Sequence, residues 1–244
     1  MNTKTVKNDL ISKVASKNAL LLATVGLMGA VLSGCGDDDN NNAAVSMTDY
    51  EVRVLNLTHA QPLSPLAVLV HDAGYHGWTI GEAASASLEV LAEGGDNSSF
   101  IASATGVQAS GSGAGVVLPG NSESVTISVS GAAMYLTSAT MLVNTNDAFA
   151  GVTGIDLSNL AIGDQQMLYL PVYDAGTEGN GEMAGTIPGP ADGGEGFNAV
   201  RDDVNFVARH PGVVSHQDGY AESVLEAAHK FDAPVAMLTV TRLN

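Results

Sequence analysis

Histidine, aspartate and glutamate are the residues of this sequence whose side chains could bind a metal ion. His71 and His76 lie five positions apart, with Asp72 between them. Imidazole nitrogens together with a carboxylate oxygen can form sites for zinc or copper ions. The same residues equally fit a hydrogen-bonded histidine after an apolar strand, followed by an exposed loop histidine. The sequence leaves both interpretations open, and His210, which precedes Pro211, lies in a predicted turn.

The familiar catalytic and nucleotide-binding motifs are absent from the sequence. The glycine-rich segment 111–115 lacks the following helix that a dinucleotide site requires, because Pro119 lies close behind it. The chain contains neither a Gly-x-Ser-x-Gly hydrolase motif nor a His-Glu-x-x-His metalloprotease motif. We therefore expect segment 111–115 to form a surface loop and the protein to have no enzymatic activity.

The N-terminal residues have the pattern of an export signal. Four lysines lie within residues 1–18, and an uncharged apolar run follows over residues 19–32. A helix of this length spans about 21 Å, whereas the hydrocarbon core of a bilayer is roughly 30 Å thick. A permanent membrane span is therefore not expected, and the sequence predicts a signal peptide over residues 1–34.

The apolar run ends in a motif that predicts a lipid anchor. Leu32-Ser33-Gly34-Cys35 resembles the lipobox of bacterial lipoproteins, in which the cysteine is acylated and becomes the first residue of the mature chain. Cys35 is the only cysteine of the sequence, so it has no disulfide partner within the chain. Lipidation of Cys35 is the predicted fate of its thiol.

A polar segment separates Cys35 from the remainder of the chain. Gly36 is followed by three aspartates at 37–39 and three asparagines at 40–42, and such a segment cannot bury an apolar face. Residues 35–47 are therefore predicted to form a flexible tether. In lipoproteins resembling those of Gram-negative bacteria, an aspartate at the position of Gly36 favours retention in the inner membrane. We expect an exported protein anchored in the outer membrane.

The charge of the mature chain excludes nucleic acid as an expected partner. The full sequence has nine Lys and Arg residues and 26 Asp and Glu residues. Removal of residues 1–34, with four lysines and one aspartate, leaves five basic and 25 acidic residues, a formal charge of −20. The five basic residues are scattered, whereas binding to a phosphate backbone requires several of them together.

Hydrophobic alternation predicts an all-β fold for residues 48–244. Segments 50–54 and 125–129 alternate apolar and polar residues, and segment 235–242 is rich in β-forming residues. Further apolar runs of strand length lie at residues 66–70, 134–143 and 167–172. Several strands without a dividing linker favour a single two-sheet antiparallel β-sandwich.

Only two segments have helical character. Residues 82–93 are rich in Ala, Leu and Glu and stop before Gly94 and Gly95, which suit a helix C-terminus. A second short helix is expected at residues 221–229.

Several segments, taken in order, resemble the spondin N-terminal domain family. The resemblance covers roughly residues 48–244, and its most specific part is the sequence Tyr-Asp-Ala-Gly-Thr at 173–177. The other matching segments lie at residues 54–65, 91–96, 146–152, 187–188, 210–213 and 234–242.

The resemblance implies a β-sandwich similar to a C2 domain that serves adhesion outside cells and binds a calcium ion in loops at one end. By position, the family's acidic ligands correspond to Asp147, Asp174 and Glu178. Calcium prefers six to eight oxygen ligands, which two acidic loops can supply. The family usually has aspartate at the position of Glu178, so the longer side chain is a departure from its pattern.

The predicted function is a surface-anchored, calcium-binding adhesion or ligand-binding module without catalysis. Its expected partners are the membrane, through the lipid on Cys35, and a protein or glycan ligand outside the cytoplasm that the sequence does not identify. The alternative is a secreted metalloenzyme or a copper- or zinc-binding protein that uses His71, His76 or His210.

Overall fold

The computed structural model describes residues 46–131 and 134–244 of the chain. The predicted signal peptide, Cys35 and nearly all of the predicted tether lie outside the described residues, so the fold does not test them. In the part of the chain that is described, no helix has the length and apolar character needed to cross a membrane.

Two antiparallel sheets form the body of the protein and confirm the predicted all-β fold. The four-stranded sheet has the strand order β4 (Ser122–Ser130), β1 (Met47–Asn56), β10 (Ala236–Arg242) and β7 (Gln165–Leu170). The six-stranded sheet has the order β3 (Val107–Ser112), β2 (Ala67–His71), β5 (Tyr135–Met141), β6 (Ala148–Asp156), β8 (Val172–Asp174) and β9 (Ala208–Arg209). All neighbouring strands are antiparallel.

The main core is built from the alternating residues of both sheets. Val52 and Val54 of β1 and Leu238 of β10 are fully buried together with Val68 of β2 and Leu136 of β5. Full burial of a side chain of this kind contributes roughly 1.5–3 kcal/mol. The period of two in the sequence thus corresponds to strands with one face in the core, as predicted.

Two α-helices follow β2, α1 over Ala86–Gly94 and α2 over Ser98–Ser103. The Oγ atom of Ser85 accepts a hydrogen bond from Leu88 N at 3.1 Å, and Gly95 ends the helix with a φ of +70°. α1 therefore begins four residues later than the predicted range 82–93, because Ser85 is an effective N-cap.

The helices cover the outer face of the six-stranded sheet. Leu88 and Leu91 of α1 and Phe100 of α2 pack with Leu69 and Phe149 of the sheet in a second core cluster. The central strands β2 and β5 are thus buried on both faces, whereas the edge strand β3 still alternates between half-buried and exposed residues.

The second expected helix, at residues 221–229, is not formed as such. Only Ala227–His229 makes a single 3₁₀ turn. Val224 N donates to Glu182 O at 2.8 Å, and Ser223 forms an isolated β-bridge with Met183. These hydrogen bonds to a neighbouring loop replace those of a helix.

The predicted strand over residues 167–172 is two strands in different sheets. β7 ends at Leu170 and β8 begins at Val172, with Pro171 between them. Proline lacks the N–H group needed to continue a ladder, so the chain leaves the four-stranded sheet there. This crossing brings β8, and with it Asp174, beside β6.

Candidate metal site

The pairing of β6 with β8 brings two predicted ligands to one end of the six-stranded sheet. Ala148 pairs with Asp174, and Ala175 N donates to Asp147 O at 3.3 Å across the same ladder. Asp147 precedes β6 directly and Asp174 is the last residue of β8. The two carboxylates are therefore neighbours although 27 positions separate them in the sequence.

A third carboxylate, which the sequence did not indicate, completes the arrangement. One carboxylate oxygen from each of Asp147, Asp174 and Asp203 lies within 4.8 Å of the others. We call these residues the three-carboxylate group. Asp203 is held there because Asp202 N donates to Thr177 O at 3.1 Å and Asn205 N donates to Gly176 O at 2.7 Å.

Asp147 is the most deeply buried member, with no exposed surface. Its Oδ2 atom accepts hydrogen bonds from Thr177 N at 2.9 Å and from Glu178 N at 3.3 Å. Its Oδ1 atom is buried and has no hydrogen-bond partner. A buried carboxylate oxygen without a partner costs free energy unless a proton or a cation meets it.

Asp174 is oriented by its own loop. Its Oδ1 atom accepts from Gly176 N at 2.7 Å and its Oδ2 atom accepts from Asn180 Nδ2 at 2.7 Å. Gly176 has a φ of +70°, and a Cβ atom there would lie 2.3 Å from the carbonyl oxygen of Phe206. Only glycine allows the loop to turn this tightly against residues 203–206.

Glu178, the third ligand chosen from the sequence, lies outside the three-carboxylate group. Its Oε1 atom accepts from Asn146 Nδ2 at 2.8 Å, and its Oε2 atom is buried without a partner. Its electrostatic neighbours are Glu93, Asp202 and Glu195. The backbone of Glu178 contacts Asp147, but its side chain extends toward a different set of acids. The acid that lies beside Asp147 and Asp174 is Asp203.

The pKa values reflect this crowding of buried acids. Desolvation, reinforced by the charges of Asp174 and Asp203, raises the pKa of Asp147 to about 7 against the hydrogen bonds from Thr177 and Glu178. Desolvation and then the nearby acids also raise the pKa of Glu178 to about 7, although the hydrogen bond from Asn146 opposes this. Desolvation is likewise the main cause of the raised pKa of Asp203.

The two salt bridges found in the described part of the chain lie elsewhere. Arg201 pairs with Glu89 at 2.6 Å and Lys230 pairs with Asp218 at 2.8 Å. The three-carboxylate group is thus not neutralised by either of these cations, and its donor set consists of oxygen atoms suited to a hard divalent ion.

His71 has the hydrogen bonds of a core histidine. Its Nδ1 atom lies 2.7 Å from Asp72 O, which can only accept, so Nδ1 carries the proton. Its Nε2 atom then accepts from the Thr137 hydroxyl at 2.9 Å. Desolvation lowers the pKa of His71, and both ring nitrogens are engaged in hydrogen bonds within the protein.

The other two candidate histidines do not join it. His76 is exposed. His210 has both nitrogens in hydrogen bonds, to Asn180 Oδ1 at 3.0 Å and from Gly212 N at 3.0 Å, and burial lowers its pKa to about 4. Of the residues that the structure describes, the acids of the three-carboxylate group are those that lie close enough together to hold a metal ion.

Comparison with known proteins gives the family. The model of the Spondin_N family matches residues 55–186, a segment that includes Asp147, Asp174 and Glu178 and ends before Asp203. No curated protein matches the chain. The matched segment is more than half of the 244 residues, and the antiparallel sandwich agrees with the fold expected from the resemblance. The chain belongs to the Spondin_N family.

Proposed function

We propose that the protein is a lipid-anchored, calcium-binding module that binds a ligand outside the cytoplasm. Membership of the Spondin_N family indicates an extracellular adhesion or ligand-binding module. The three-carboxylate group supports the calcium site, and the N-terminal sequence supports the lipid anchor.

The observation that carries the calcium proposal is the buried Oδ1 atom of Asp147. It has no hydrogen-bond partner, and carboxylate oxygens of Asp174 and Asp203 lie within 4.8 Å of a carboxylate oxygen of Asp147. A cation would meet the unpartnered oxygen and screen the repulsion that raises the pKa of Asp147. Because all three side chains offer hard oxygen atoms, calcium suits the group better than zinc or copper, which favour nitrogen or sulfur ligands.

The residues have distinct roles in this proposal. Asp147, Asp174 and Asp203 would hold the ion, and calcium would supply a fixed positive charge. Thr177 and Asn180 position the first two carboxylates through hydrogen bonds. Glu178 orients Asp147 through its backbone N–H group. Its side chain lies outside the three-carboxylate group and would act on the ion only indirectly.

Calorimetric titration of the full-length protein tests the calcium proposal. We expect one calcium ion to bind per chain, Asp147→Asn to weaken binding strongly, and the control Asp156→Asn, at an exposed position on β6, to leave it unchanged. Failure of calcium to bind the wild type would refute the proposal. Stoichiometric binding of zinc or copper that is lost in His71→Ala would support the histidine alternative instead.

The anchor proposal rests on the Leu-Ser-Gly-Cys motif at residues 32–35 and on the polar segment that follows. We expect Cys35→Ala to abolish the processing or the membrane attachment of the chain, and Cys35→Ser to do the same. Fractionation with a high-salt wash measures this. A Cys35→Ala protein that is cleaved and still membrane-bound would contradict lipid anchoring.

A further inference from the structure

A second candidate site lies where the two helices meet the loop after β2. An open cavity of about 590 Å³ is lined by Tyr75 and His76 of this loop and by residues of α1 and α2. Its volume falls within the roughly 300–1,000 Å³ of small-molecule sites. It shares no lining residue with the three-carboxylate group or with Glu178.

We call this cavity the helix-side pocket. None of the residues that line it is Asp, Glu, Lys or Arg. This is informative in a chain with 26 acidic residues. The acids of α1 point elsewhere, since Glu89 pairs with Arg201 and Glu93 accepts from Asn198 N at 2.9 Å. The pocket therefore offers nothing that would compensate a charged ligand when it loses water, and a neutral ligand fits it better.

Serine hydroxyls supply its hydrogen-bonding groups. Ser103 Oγ donates to Ser87 Oγ at 2.9 Å, and Ser85 Oγ lies 3.1 Å from Ser87 Oγ. These two bonds use two of the three hydroxyl hydrogens, so one hydrogen is left for a ligand. Ser99 also lines the cavity, but its Oγ atom is buried and has no hydrogen-bond partner in the described part of the protein.

Apolar surface lies beside these hydroxyls, and the wall that carries it is held in place. The Tyr75 ring packs edge-on against His71, with centroids 4.9 Å apart. Gly77 N donates to Thr153 Oγ1 at 2.9 Å, and a Cβ atom on Gly77 would lie 2.9 Å from a methyl group of Thr137. The wall thus needs little ordering when a ligand binds, and ordering is one of the costs of binding.

From this geometry we infer that the helix-side pocket binds a neutral saccharide. A sugar ring presents apolar C–H faces, which match Tyr75 and Val90, and a rim of hydroxyls that can donate to and accept from the serines and His76. The inference deepens the proposed ligand-binding role by naming the chemical class of a ligand, and it does not depend on calcium binding.

Saturation-transfer NMR with the full-length protein, in a detergent without a sugar headgroup, tests the inference. The probes are neutral mono- and disaccharides of glucose, galactose, mannose and N-acetylglucosamine, with glucuronic acid and glucosamine as charged counterparts. We expect at least one neutral sugar to bind with millimolar affinity and the charged counterparts to bind more weakly. Binding of the charged sugars only would overturn the inference.

Two variants locate the binding. Ser103→Leu, at an exposed helix end, fills the pocket, and Tyr75→Ala removes its aromatic wall, so each should lower the affinity at least tenfold. The control Tyr169→Ala removes an exposed tyrosine from β7, on the four-stranded sheet, and should have no effect. Thermal melts show whether each variant still folds. If Tyr75→Ala does not fold, the sugar affinity of Ser103→Leu alone decides whether the pocket is the binding site.

The outcomes separate this inference from the proposed calcium site. A wild type that binds calcium but no sugar of the panel refutes the saccharide inference alone. Sugar binding that persists in both Ser103→Leu and Tyr75→Ala also refutes it. Sugar binding by a wild type that does not bind calcium leaves the saccharide inference intact and refutes the calcium proposal.

Discussion

The sandwich core and Asp147 of the three-carboxylate group are equally inaccessible to solvent but are stabilised in different ways. Val52, Val54 and Leu238 are fully buried apolar side chains in a continuous cluster. Asp147 is just as buried, yet it has an oxygen without a partner and a pKa of about 7. The comparison shows that burial in the core stabilises the fold, whereas burial at the carboxylates stores repulsion that a cation or a proton relieves.

This difference implies that the two regions respond to different variables. Apolar burial contributes a free energy that does not depend on calcium and changes little with pH. The three-carboxylate group contributes a free energy that depends on pH, because the pKa values of Asp147 and Asp203 are raised in the folded chain. Calcium bound at the proposed site would make this free energy depend on calcium as well. The stability losses caused by substitutions in the two regions should therefore differ in size and also in how they depend on calcium and pH.

The largest effect is expected in the core. Leu238→Ala removes a fully buried side chain from the middle of the four-stranded sheet and should lower the free energy of unfolding by about 2–5 kcal/mol. Chemical denaturation in chelator and in calcium should give the same loss. A loss that disappears in calcium would show that the core and the metal site are not independent.

A somewhat smaller effect is expected for Gly176→Ala. The new Cβ atom would meet the carbonyl oxygen of Phe206 at 2.3 Å, at a φ of +70°. Forcing a side chain into such a conformation costs roughly 1–3 kcal/mol. We also expect calcium affinity to fall, because Asn205 N donates to Gly176 O and holds the loop of Asp203 in place. Gly163→Ala, also at positive φ but in open space, is the matched control and should retain calcium affinity.

The strands of the sandwich could be predicted because the pattern of apolar and polar residues along a single strand is a local signal. Alternation in β1 and β4 follows directly from which face of each strand is buried, and the β-forming residues of segment 235–242 indicated β10. The division at Pro171 was missed, although proline within an apolar run is a signal that a strand ends there.

The candidate site was predicted only in part. Asp147 and Asp174 were found through a family resemblance, and the β6–β8 ladder does bring them together. Asp203 was missed because it approaches through a loop 29 positions beyond Asp174, and an Asp-Asp pair in so acidic a chain carries no signal of its own. The orientation of Glu178 could not be predicted either, since it depends on the hydrogen bond from Asn146.

Substitutions of Asp203 and Glu178 show which of the two carboxylates contributes more to calcium affinity. If the three-carboxylate group binds calcium, Asp203→Asn should weaken calcium affinity about tenfold or more, which is about 1.4 kcal/mol. Glu178→Gln should have a smaller effect, because its carboxylate lies outside the group. Calorimetric titration of both variants measures the difference, and the reverse order would favour the ligand set predicted from the sequence.

The pH dependence of stability should follow from the raised pKa of Asp147. The folded chain retains a proton on Asp147 up to about pH 7, whereas the unfolded chain loses it near pH 3.8. Stability in chelator therefore falls as pH rises through this window, by at most about 1.4 kcal/mol per pH unit for this one group. His210, whose pKa is lowered to about 4, has the opposite effect between about pH 4 and 6.5.

Comparison with Asp147→Asn isolates the contribution of Asp147 from that of His210. Both proteins contain His210, so the stability of the variant relative to the wild type should rise between pH 5 and 8 in chelator. Urea denaturation at several pH values measures it. A relative stability that is constant with pH would show that Asp147 is ionised throughout this range.

The most direct test of the account is the melting temperature of the wild type and of Asp174→Asn, each in chelator and in calcium. At free calcium of about 100 times Kd, binding to the folded state alone adds about 2.7 kcal/mol to the free energy of unfolding. At roughly 2–4 °C per kcal/mol, the wild type should melt several degrees higher in calcium. Asp174→Asn should lose most of this gain and should melt in chelator at or above the wild type, because it removes one of the repelling charges. A wild-type melting temperature that does not change with calcium would contradict the proposed metal site.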